Sequence, residues 1–472
     1  MNEPEKLEPV APKSFTRSLT GLGVIILTLS VLSPGVSIFV SGASIVQQAG
    51  TGAILAFLLG GLINYCQTSM SAELGAAYPT AGYDYAAIGH AIGDWAGATT
   101  YIASIFTIPM FLNTSAIGIA IYLRPLLPGI DDNTVTMTTV AVITAVAMLN
   151  IRSSELITGA FMLIEISALL LVAGLGLFHV QPGVHHMILH PAHIENGAWA
   201  IVGIATLGIA TNSASWAIAG SSQALMFSED MKRPNTIGRI IMWSFLITVV
   251  LETLPVIGTI IGARDLKAVL SSSAPFETFL SQYLSETGSK LVSLSIAIAI
   301  FNACLAGFIG IGRNLFSMGR TKLFAPPINR ALMRLIPKTD APWIALLLIG
   351  VTTALATFIS LKFKILMLSG SFTVITTFYI WGIFAGRRSG RTGTHAYKTP
   401  LFPLIPAIGI LIICGEVAVL WLDPDSGRPS LFVAIGQYLA GYLYYRFVLC
   451  RRAERWEMVG PEDIDAMVQG AG

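Results

Sequence analysis

Residues 21–46 read GLGVIILTLSVLSPGVSIFVSGASIV, an apolar run that contains no charged residue. About 20 apolar residues are enough for a helix to cross the hydrocarbon core of a bilayer. A backbone inside a membrane must satisfy its own hydrogen bonds, so this run predicts a membrane-spanning helix. The helix is interrupted in its middle by the stretch SPGVS at 33–37, because proline removes a backbone donor and glycine adds conformational freedom.

Further apolar runs of similar length follow along the whole chain. They lie at 52–72, 95–123, 134–150, 155–178, 199–226, 237–262, 289–316, 342–361, 365–386, 401–422 and 429–449. Strands of a membrane β-barrel would instead give short segments of alternating polarity. We therefore predict an all-α polytopic membrane protein with twelve transmembrane helices.

Composition indicates the same class. Of 472 residues, 54% are hydrophobic and 11% are charged, and the mean hydropathy is +0.72. Soluble domains carry about 25% charged residues. The net charge of +2 gives no basic domain for nucleic acid, so the bilayer of the inner (plasma) membrane is the expected environment.

The distribution of Lys and Arg predicts the orientation, since cytoplasmic loops of membrane proteins carry more of both. A cytoplasmic N-terminus places 21 of the 28 Lys and Arg residues in cytoplasmic segments. The seven left outside are Arg124, Arg264, Lys267, Lys290, Lys362, Lys364 and Arg428. Both termini are then cytoplasmic, as an N-terminal tail at 1–20 and a C-terminal tail at 451–472.

A second interruption is expected in the sixth helix, where residues 211–222 read TNSASWAIAGSS. A broken helix exposes N–H groups at one end and carbonyl groups at the other, and these can bind a carboxylate and a cation. The two interrupted helices are the first helix of each five-helix half of the chain, which is typical of inverted repeats. An ordinary proline kink and close packing of small residues are the alternatives.

Four segments carry a resemblance to a known superfamily. They are AELGAAYPTAGYDY at 72–85, FSEDMKRP at 227–234, residues 313–324, and YKTPLFP at 397–403. In this order they resemble the loops and helix ends of the amino acid–polyamine–organocation transporter superfamily, and specifically bacterial amino acid permeases. Together they cover residues about 20–450 of the chain.

The resemblance implies a LeuT-like fold of two inverted five-helix repeats, at 21–178 and 199–388, followed by two helices at 400–450. It also implies a small-molecule site between helices one and six. Trp216 falls where arginine/agmatine antiporters of the superfamily place a gating tryptophan, and Tyr101 matches an aromatic residue of their third helix. The predicted substrate-binding residues are Ser33, Pro34, Gly35, Val36, Ser37, Tyr101, Trp216, Ala217, Gly220 and Ser221.

Three carboxyl groups fall inside predicted helices: Glu165, Glu252 and Glu416. A carboxylate at mid-membrane is unfavourable unless it is neutralised or paired, so it is a candidate functional group. Glu165 lies in the middle of the fifth helix without a Lys or Arg on that helix, which predicts a residue that takes and releases the coupling proton. A hydrogen-bonded structural role is the alternative, and it is the expected role for Glu252 and Glu416.

The expected function is secondary active transport of amino acids by alternating access, with proton symport. Exchange, transport of a polyamine or an ethanolamine-type amine, and nutrient sensing by a transporter fold remain open. Neither a channel filter nor a nucleophile–base pair is visible, so neither a channel nor an enzyme is expected, and no cofactor or metal is expected. Five histidines in the predicted external loop at 179–198 match no firm metal-binding spacing.

Overall fold

The computed structural model of the protein describes residues 19–80, 82–124, 129–149, 154–337, 339, 341–393, 397–452 and 456. The two predicted tails therefore lie mostly outside the described residues. Within the described part, Leu19 pairs with Met231 through a short parallel bridge, and the backbone amide of Lys232 donates to the Leu19 carbonyl at 3.0 Å.

The described chain is built mainly from α-helices, because the backbone N–H and C=O groups of an apolar run inside a membrane can form hydrogen bonds only with each other. The helices are α1 (Gly21–Leu32), α2 (Pro34–Val36), α3 (Ala43–Ala49), α4 (Ala53–Ala77), α5 (Tyr83–Ile92), α6 (Asp94–Leu123), α7 (Asp132–Ala147), α8 (Ser154–Phe178), α9 (Val184–Leu189), α10 (Ile204–Ile218), α11 (Ile237–Gly262), α12 (Leu266–Ser271), α13 (Pro275–Ser281), α14 (Glu286–Arg320), α15 (Pro326–Leu332), α16 (Trp343–Leu355), α17 (Leu361–Arg388), α18 (Leu404–Leu422) and α19 (Gly427–Phe447). A π-helical turn (Ser37–Gly42) joins α2 to α3, and a 3-10 segment (Ser221–Asp230) follows α10.

Seven helical segments among the described residues are long and apolar enough to cross a membrane. They are Gly21–Ala77, Asp94–Leu123, Phe161–Phe178, Pro234–Gly262, Glu286–Arg320, Leu361–Arg388 and Leu404–Leu422. Their length and composition confirm an all-α polytopic membrane protein in its main architecture.

A small β-hairpin departs from the all-helical prediction. Strands β1 (Ala192–Glu195) and β2 (Ala198–Ile201) pair antiparallel, and the two residues between them, Asn196 and Gly197, have φ angles of 51° and 76°. Positive φ at both positions matches the turn that reverses a two-residue hairpin. The apolar run at 199–226 therefore opens with strand β2, and α10 begins at Ile204.

Segments that the sequence predicts as loops also fold into short helices. The predicted external loop at 263–288 contains α12 and α13, and the predicted internal loop at 319–341 contains α15. After α4, the chain turns within a few residues into α5, in which Tyr85, Ala86, Ala87 and Ile88 are buried.

Glycines bring several helices into backbone contact. A Cβ atom added to Gly258 of α11 would lie 2.8 Å from the Cα of Ala173 on α8. A Cβ added to Gly60 of α4 would lie 2.7 Å from the backbone nitrogen of Ser215 on α10. Small residues let membrane helices approach this closely, so α8 packs on α11 and α4 packs on α10 with no intervening side chains at these points.

A buried ion pair ties α4 to α17 at one end of the bundle. Arg387 donates to both carboxylate oxygens of Glu73, at 2.8 and 2.7 Å, and the backbone amide of Thr399 donates to Glu73 at 2.6 Å. A two-point arginine–carboxylate contact fixes direction as well as distance. The pair therefore sets the position of the chain segment that leads into α18.

Candidate functional site at the two helix breaks

The break in the first spanning helix lies where proline and glycine predict it. Helix α1 ends at Leu32, and Ser33 has a left-handed conformation (φ 48°, ψ 82°) before α2 begins at Pro34. Proline has no N–H to donate, so the hydrogen-bond ladder of α1 stops there. The Oγ atom of Ser33 accepts a hydrogen bond from the Val36 amide at 3.2 Å and so caps the new helical segment.

The carboxyl group of Glu165, from α8, lies directly on this break. Its Oε1 atom accepts hydrogen bonds from the Gly35 amide at 2.6 Å and from the Ser33 hydroxyl at 2.9 Å. Glu165 is 1% exposed, and its Oε2 atom has no hydrogen-bond partner among the described residues. Free amides at the start of a helical segment favour negative charge. The chain's own carboxyl group thus occupies donors that a ligand anion could use.

The break in the sixth spanning helix lies beside the first. Helix α10 ends at Ile218, Ala219 is extended, and Gly220 has a φ of 116°, which glycine adopts without strain. A Cβ atom added to Gly220 would lie 2.5 Å from the Cδ2 atom of Leu32, the last residue of α1. The two interruptions are therefore in van der Waals contact.

A hydrogen bond joins the two broken helices. The hydroxyl group of Ser37 donates to the Ala217 carbonyl at 2.9 Å. Val36 and Ala217 are buried, and Ser221 is fully buried with an Oγ atom that has no partner in the described part of the chain. Trp216 is partly exposed. Nine of the ten predicted binding residues thus lie on the two broken segments, 33–37 and 216–221.

Tyr101, the tenth, belongs to a different cluster. Its ring packs against Tyr85 of α5 with centroids 5.2 Å apart, and a Cβ atom added to Gly82 would lie 2.6 Å from its hydroxyl oxygen. In the same region Asp84 accepts hydrogen bonds from Ser71 at 2.7 Å and from Ser222 at 2.8 Å. Tyr101 therefore lies where α5 meets the segment after the second break.

The comparisons with known proteins bear on this arrangement. A family model described as amino acid permease matches residues 19–439, nearly the whole described chain, including both breaks and Glu165. The chain belongs to the amino acid permease family. This confirms the resemblance to the amino acid–polyamine–organocation superfamily.

Three relatives resemble the permease over most of its length. The branched-chain amino acid permease BcaP of Lactococcus lactis is 24% identical over 442 residues, which cover 87% of this chain and 90% of that protein. The serine/threonine exchanger SteT of Bacillus subtilis is 25% identical over 435 residues, covering 89% and 94%. The amino-acid permease RocC of Bacillus subtilis is 22% identical over 458 residues, covering 89% and 92%.

Glu252 of α11 is fully buried, and neither of its carboxyl oxygens has a hydrogen-bond partner among the described residues. The structural role expected for it stays a prediction.

Two further polar contacts connect α17 of the permease to its neighbours, one to the broken helix α10 and one to α18. The hydroxyl of Ser369 on α17 hydrogen-bonds the side chain of Asn212 on α10. One turn further, Thr373 donates to the Oε2 atom of Glu416 on α18 at 2.8 Å. Glu416 is buried, and its hydrogen bond with Thr373 holds α18 against α17. This contact is compatible with the structural role expected for Glu416.

Lys364 corrects one detail of the predicted loops. The charge distribution counts it as an external cation, but the structure buries it completely at the start of α17. Its Nζ atom donates to the Oδ1 atom of Asn113 on α6 and to the Ala356 carbonyl. The long aliphatic stem allows this burial, and the amide and carbonyl oxygens replace the water that the ammonium group loses.

The histidine-rich segment lies on the hairpin and on α9. His193 has its Nδ1 atom 3.0 Å from the Gln48 carbonyl at the end of α3, and the rings of His186 and His190 are 4.6 Å apart. No group of three or more metal-binding side chains occurs among the described residues. The contact of His193 instead attaches the hairpin to the end of the broken first helix.

Proposed function

We propose that the permease is a secondary active transporter that moves amino acids across the plasma membrane by alternating access, coupled to protons. The observation that carries this proposal is the position of Glu165, whose carboxyl group binds the Gly35 amide and the Ser33 hydroxyl at the break of the first helix. The substrate names of the relatives, which are amino acid permeases and an exchanger, support an amino acid as substrate.

The proposal includes a fold of twelve transmembrane helices. The first apolar segment, Gly21–Ala77, has 57 residues, and at 1.5 Å per residue it is long enough for two crossings of a core about 30 Å thick. Four shorter or less apolar helices, α7, α10, α16 and α19, complete the twelve. Two inverted five-helix repeats then begin with the two broken helices, and both termini are cytoplasmic because most Lys and Arg lie on that side.

The substrate site follows from the chemistry of the break. An amino acid presents a carboxylate, which needs N–H and O–H donors like those that Gly35 and Ser33 give to Glu165. Its ammonium group needs oxygen acceptors, and the carbonyl groups that end α1 and α10 supply them. Gly220 lets the two breaks approach each other closely, since a Cβ atom there would collide with Leu32.

Coupling follows from competition for the same donors. A substrate carboxylate and the Glu165 carboxylate cannot both occupy the Gly35 amide, and two negative charges so close in an apolar site repel each other strongly. Protonation of Glu165 removes its charge and weakens its hold on these donors. Proton binding and substrate binding therefore favour each other, which is the requirement for symport.

Uptake by the purified permease in proteoliposomes tests this function. A thermal-shift screen with free amino acids and amines selects the substrate, and its uptake is measured under imposed pH or sodium gradients. We expect uptake that rises with external acidity, needs no sodium, and loses its pH dependence in Glu165→Gln while substrate still binds. Glu416→Gln is the matched control, because it removes a buried carboxyl group outside the site. Sodium-dependent uptake, or an unchanged pH profile in Glu165→Gln, contradicts proton coupling through Glu165.

An organic amine is the second candidate substrate. Glu165 already fills the carboxylate position, so a cation without a carboxylate could bind opposite it. The same screen distinguishes the two, since ethanolamine and putrescine would then raise the melting temperature and amino acids would not.

A further inference from the structure

The two faces of the β-hairpin differ in character. In its antiparallel register His193 is opposite Ala200, and Ile194 is opposite Trp199. Successive side chains of a strand point to opposite sides of the sheet. His193 and Ala200 therefore share one face. The other face carries Ile194, Trp199 and Ile201, all of them large and apolar.

The face with His193 is attached to the end of the first broken helix. The Nδ1 atom of His193 lies 3.0 Å from the Gln48 carbonyl of α3, and the Thr51 hydroxyl oxygen accepts a hydrogen bond from the Ala192 amide at 3.0 Å. A Cβ atom added to Gly50 would lie 2.6 Å from the Cα atom of His193. These contacts fix the position of the hairpin relative to the bundle.

The opposite face has little protein to cover it on its β2 side. Trp199 is 41% exposed and Ile201 is 86% exposed. Ile204, which begins α10 three residues after Ile201, is 93% exposed. Large apolar side chains that lie exposed so close together mark an interaction surface. Tryptophan beside the end of a membrane helix is typical of the membrane–water interface.

Helix contacts show at which end of the bundle this face lies. Helix α4 and the chain from α10 onward run in the same direction, because Gly60 meets Ser215 and, further along both, Gly75 meets Leu225. Glu73 and its ion pair lie near the end of α4. The hairpin, which precedes α10, therefore lies at the opposite end of the bundle from Glu73.

A contact between α10 and α18 gives the depth. Helix α18 begins near Glu73, to which Thr399 is bound, so its last residues lie at the hairpin's end. A Cβ atom added to Gly208 of α10 would lie 2.8 Å from the Cγ2 atom of Val419, which is three residues before the end of α18. At 1.5 Å per residue, Ile204 is about 6 Å further out than Gly208, which is level with the end of that span.

We infer that the hairpin face with Trp199 and Ile201 lies in the interface of the bilayer and contacts lipid, in the outer leaflet of the proposed orientation. The interface suits an apolar face of a short hairpin, because water there still reaches the unpaired backbone groups along the outer edge of β2, which hydrocarbon would leave unsatisfied. The lipid surface is thus a partner of the hairpin, and the hairpin's other face connects that surface to the end of the first broken helix.

Spin labels in proteoliposomes test the position of this face. The exposed Cys414 and Cys450 are replaced by serine, and a label is attached through Ile201→Cys. Molecular oxygen concentrates in the bilayer and a nickel chelate stays in water, so the ratio of their collision rates with the label reports depth. We expect this ratio to be severalfold higher at position 201 than for Asn196→Cys at the exposed tip of the same hairpin.

The native Cys414 supplies the reference for a lipid-facing side chain. It is exposed on α18, eight residues or about 12 Å before the end of the span, and its label should give a higher ratio than position 201. A ratio at 201 equal to that at 196 would place the face in water and overturn the inference.

Low collision rates with both reagents at position 201 would also overturn the inference, since protein would then cover the face. Dipolar broadening between labels would identify that protein as a second copy of this chain. If Ile201→Cys does not fold, Trp199→Cys on the same face decides by the same criteria. None of these outcomes depends on which substrate the permease transports, or on its coupling.

Discussion

The Oε1 atom of Glu165 lies 2.6 Å from the backbone nitrogen of Gly35, although 130 residues separate the two along the chain. A carboxyl group of the fifth helix is thereby a direct ligand of the break in the first. In the proposed function, this contact makes Glu165 a competitor for the position that a substrate carboxylate takes.

Gly35 should be intolerant of larger side chains. A Cβ atom there would lie 2.9 Å from Oε1 and 3.1 Å from Cγ of Glu165, so valine would displace the carboxyl group and fill the break. We expect Gly35→Val to weaken substrate binding at least about tenfold, since a charge-assisted hydrogen bond contributes about 1.5–3 kcal/mol. Titration by thermal shift measures the affinity. Gly436→Val on α19, where nothing lies within 4 Å, is the control, and equal affinity of both variants would place the site elsewhere.

Thiol labelling checks the proposed orientation. Single cysteines replacing Asn133 or Asn196 should react with an impermeant reagent added outside cells, and cysteines replacing Asn235 or Gly390 should not. All four positions are exposed in the structure, so access to the reagent depends on the side of the membrane. The exposed native Cys414 and Cys450 are first replaced by serine. The reverse labelling pattern would contradict the proposed orientation and would indicate that both termini lie outside.

The contact of α8 with α11 should not accept an added methyl group. Alanine at Gly258 would place its Cβ 2.8 Å from backbone atoms of Ala173, and backbone cannot move aside cheaply. We expect Gly258→Ala to lower stability by about 1–3 kcal/mol, which is typical of overpacking. Its melting temperature in detergent should fall below that of Gly415→Ala, a helix position with no atom within 4 Å. Equal melting temperatures would mean that the two helices separate easily.

Asp423, in the turn after α18, should make stability depend on pH. Partial burial opposes its ionisation, but Lys362 at 2.8 Å and the amides of Ser426 and Asp425 outweigh this and hold its pKa below the ordinary value. The lowered pKa means that Asp423 stabilises the fold at neutral pH and that this contribution is lost as the pH falls through the pKa.

We therefore expect Asp423→Asn to melt below wild type at neutral pH, by the equivalent of about 1 kcal/mol. The difference between the two melting temperatures should shrink as the pH falls below about 4 and disappear once the pH is below the lowered pKa of Asp423, where the wild-type carboxyl group is protonated in the folded protein as well. Asp425→Asn, at an exposed position in the same turn, serves as the control. A difference that stays constant down to low pH would assign the loss to packing and not to charge.

The sequence predicted the breaks because proline, glycine and serine act locally on the backbone. Pro34 interrupts its helix because proline restricts φ and has no N–H donor, and Gly220 does so because glycine readily adopts a positive φ. Both effects follow from the residue type alone. Glu165 could also be identified as a candidate functional residue from the sequence alone, since a lone carboxyl group in an apolar run is energetically unfavourable.

The contacts between distant segments were not predictable in the same way. Helices that are apolar on all sides give no periodic signal for the direction of one residue, so the neighbours of Glu252 and Tyr101 could not be predicted from the sequence. Lys364 was counted as external because charge was assigned by position in the chain, whereas its acceptors come from Asn113 and Ala356. The hairpin at 192–201 depended on two positive φ angles at Asn196 and Gly197.

The backbone contact at Gly258 has a consequence for how the permease moves. Because α8 and α11 touch there without side chains between them, the two helices that carry Glu165 and Glu252 are closely held at this point. The hydrogen bonds of Glu165 to Gly35 and Ser33, in contrast, are made by a side chain. In the proposed transport cycle, motion of the first helix would therefore separate Glu165 from its donors, and a mechanical step would set the moment of protonation.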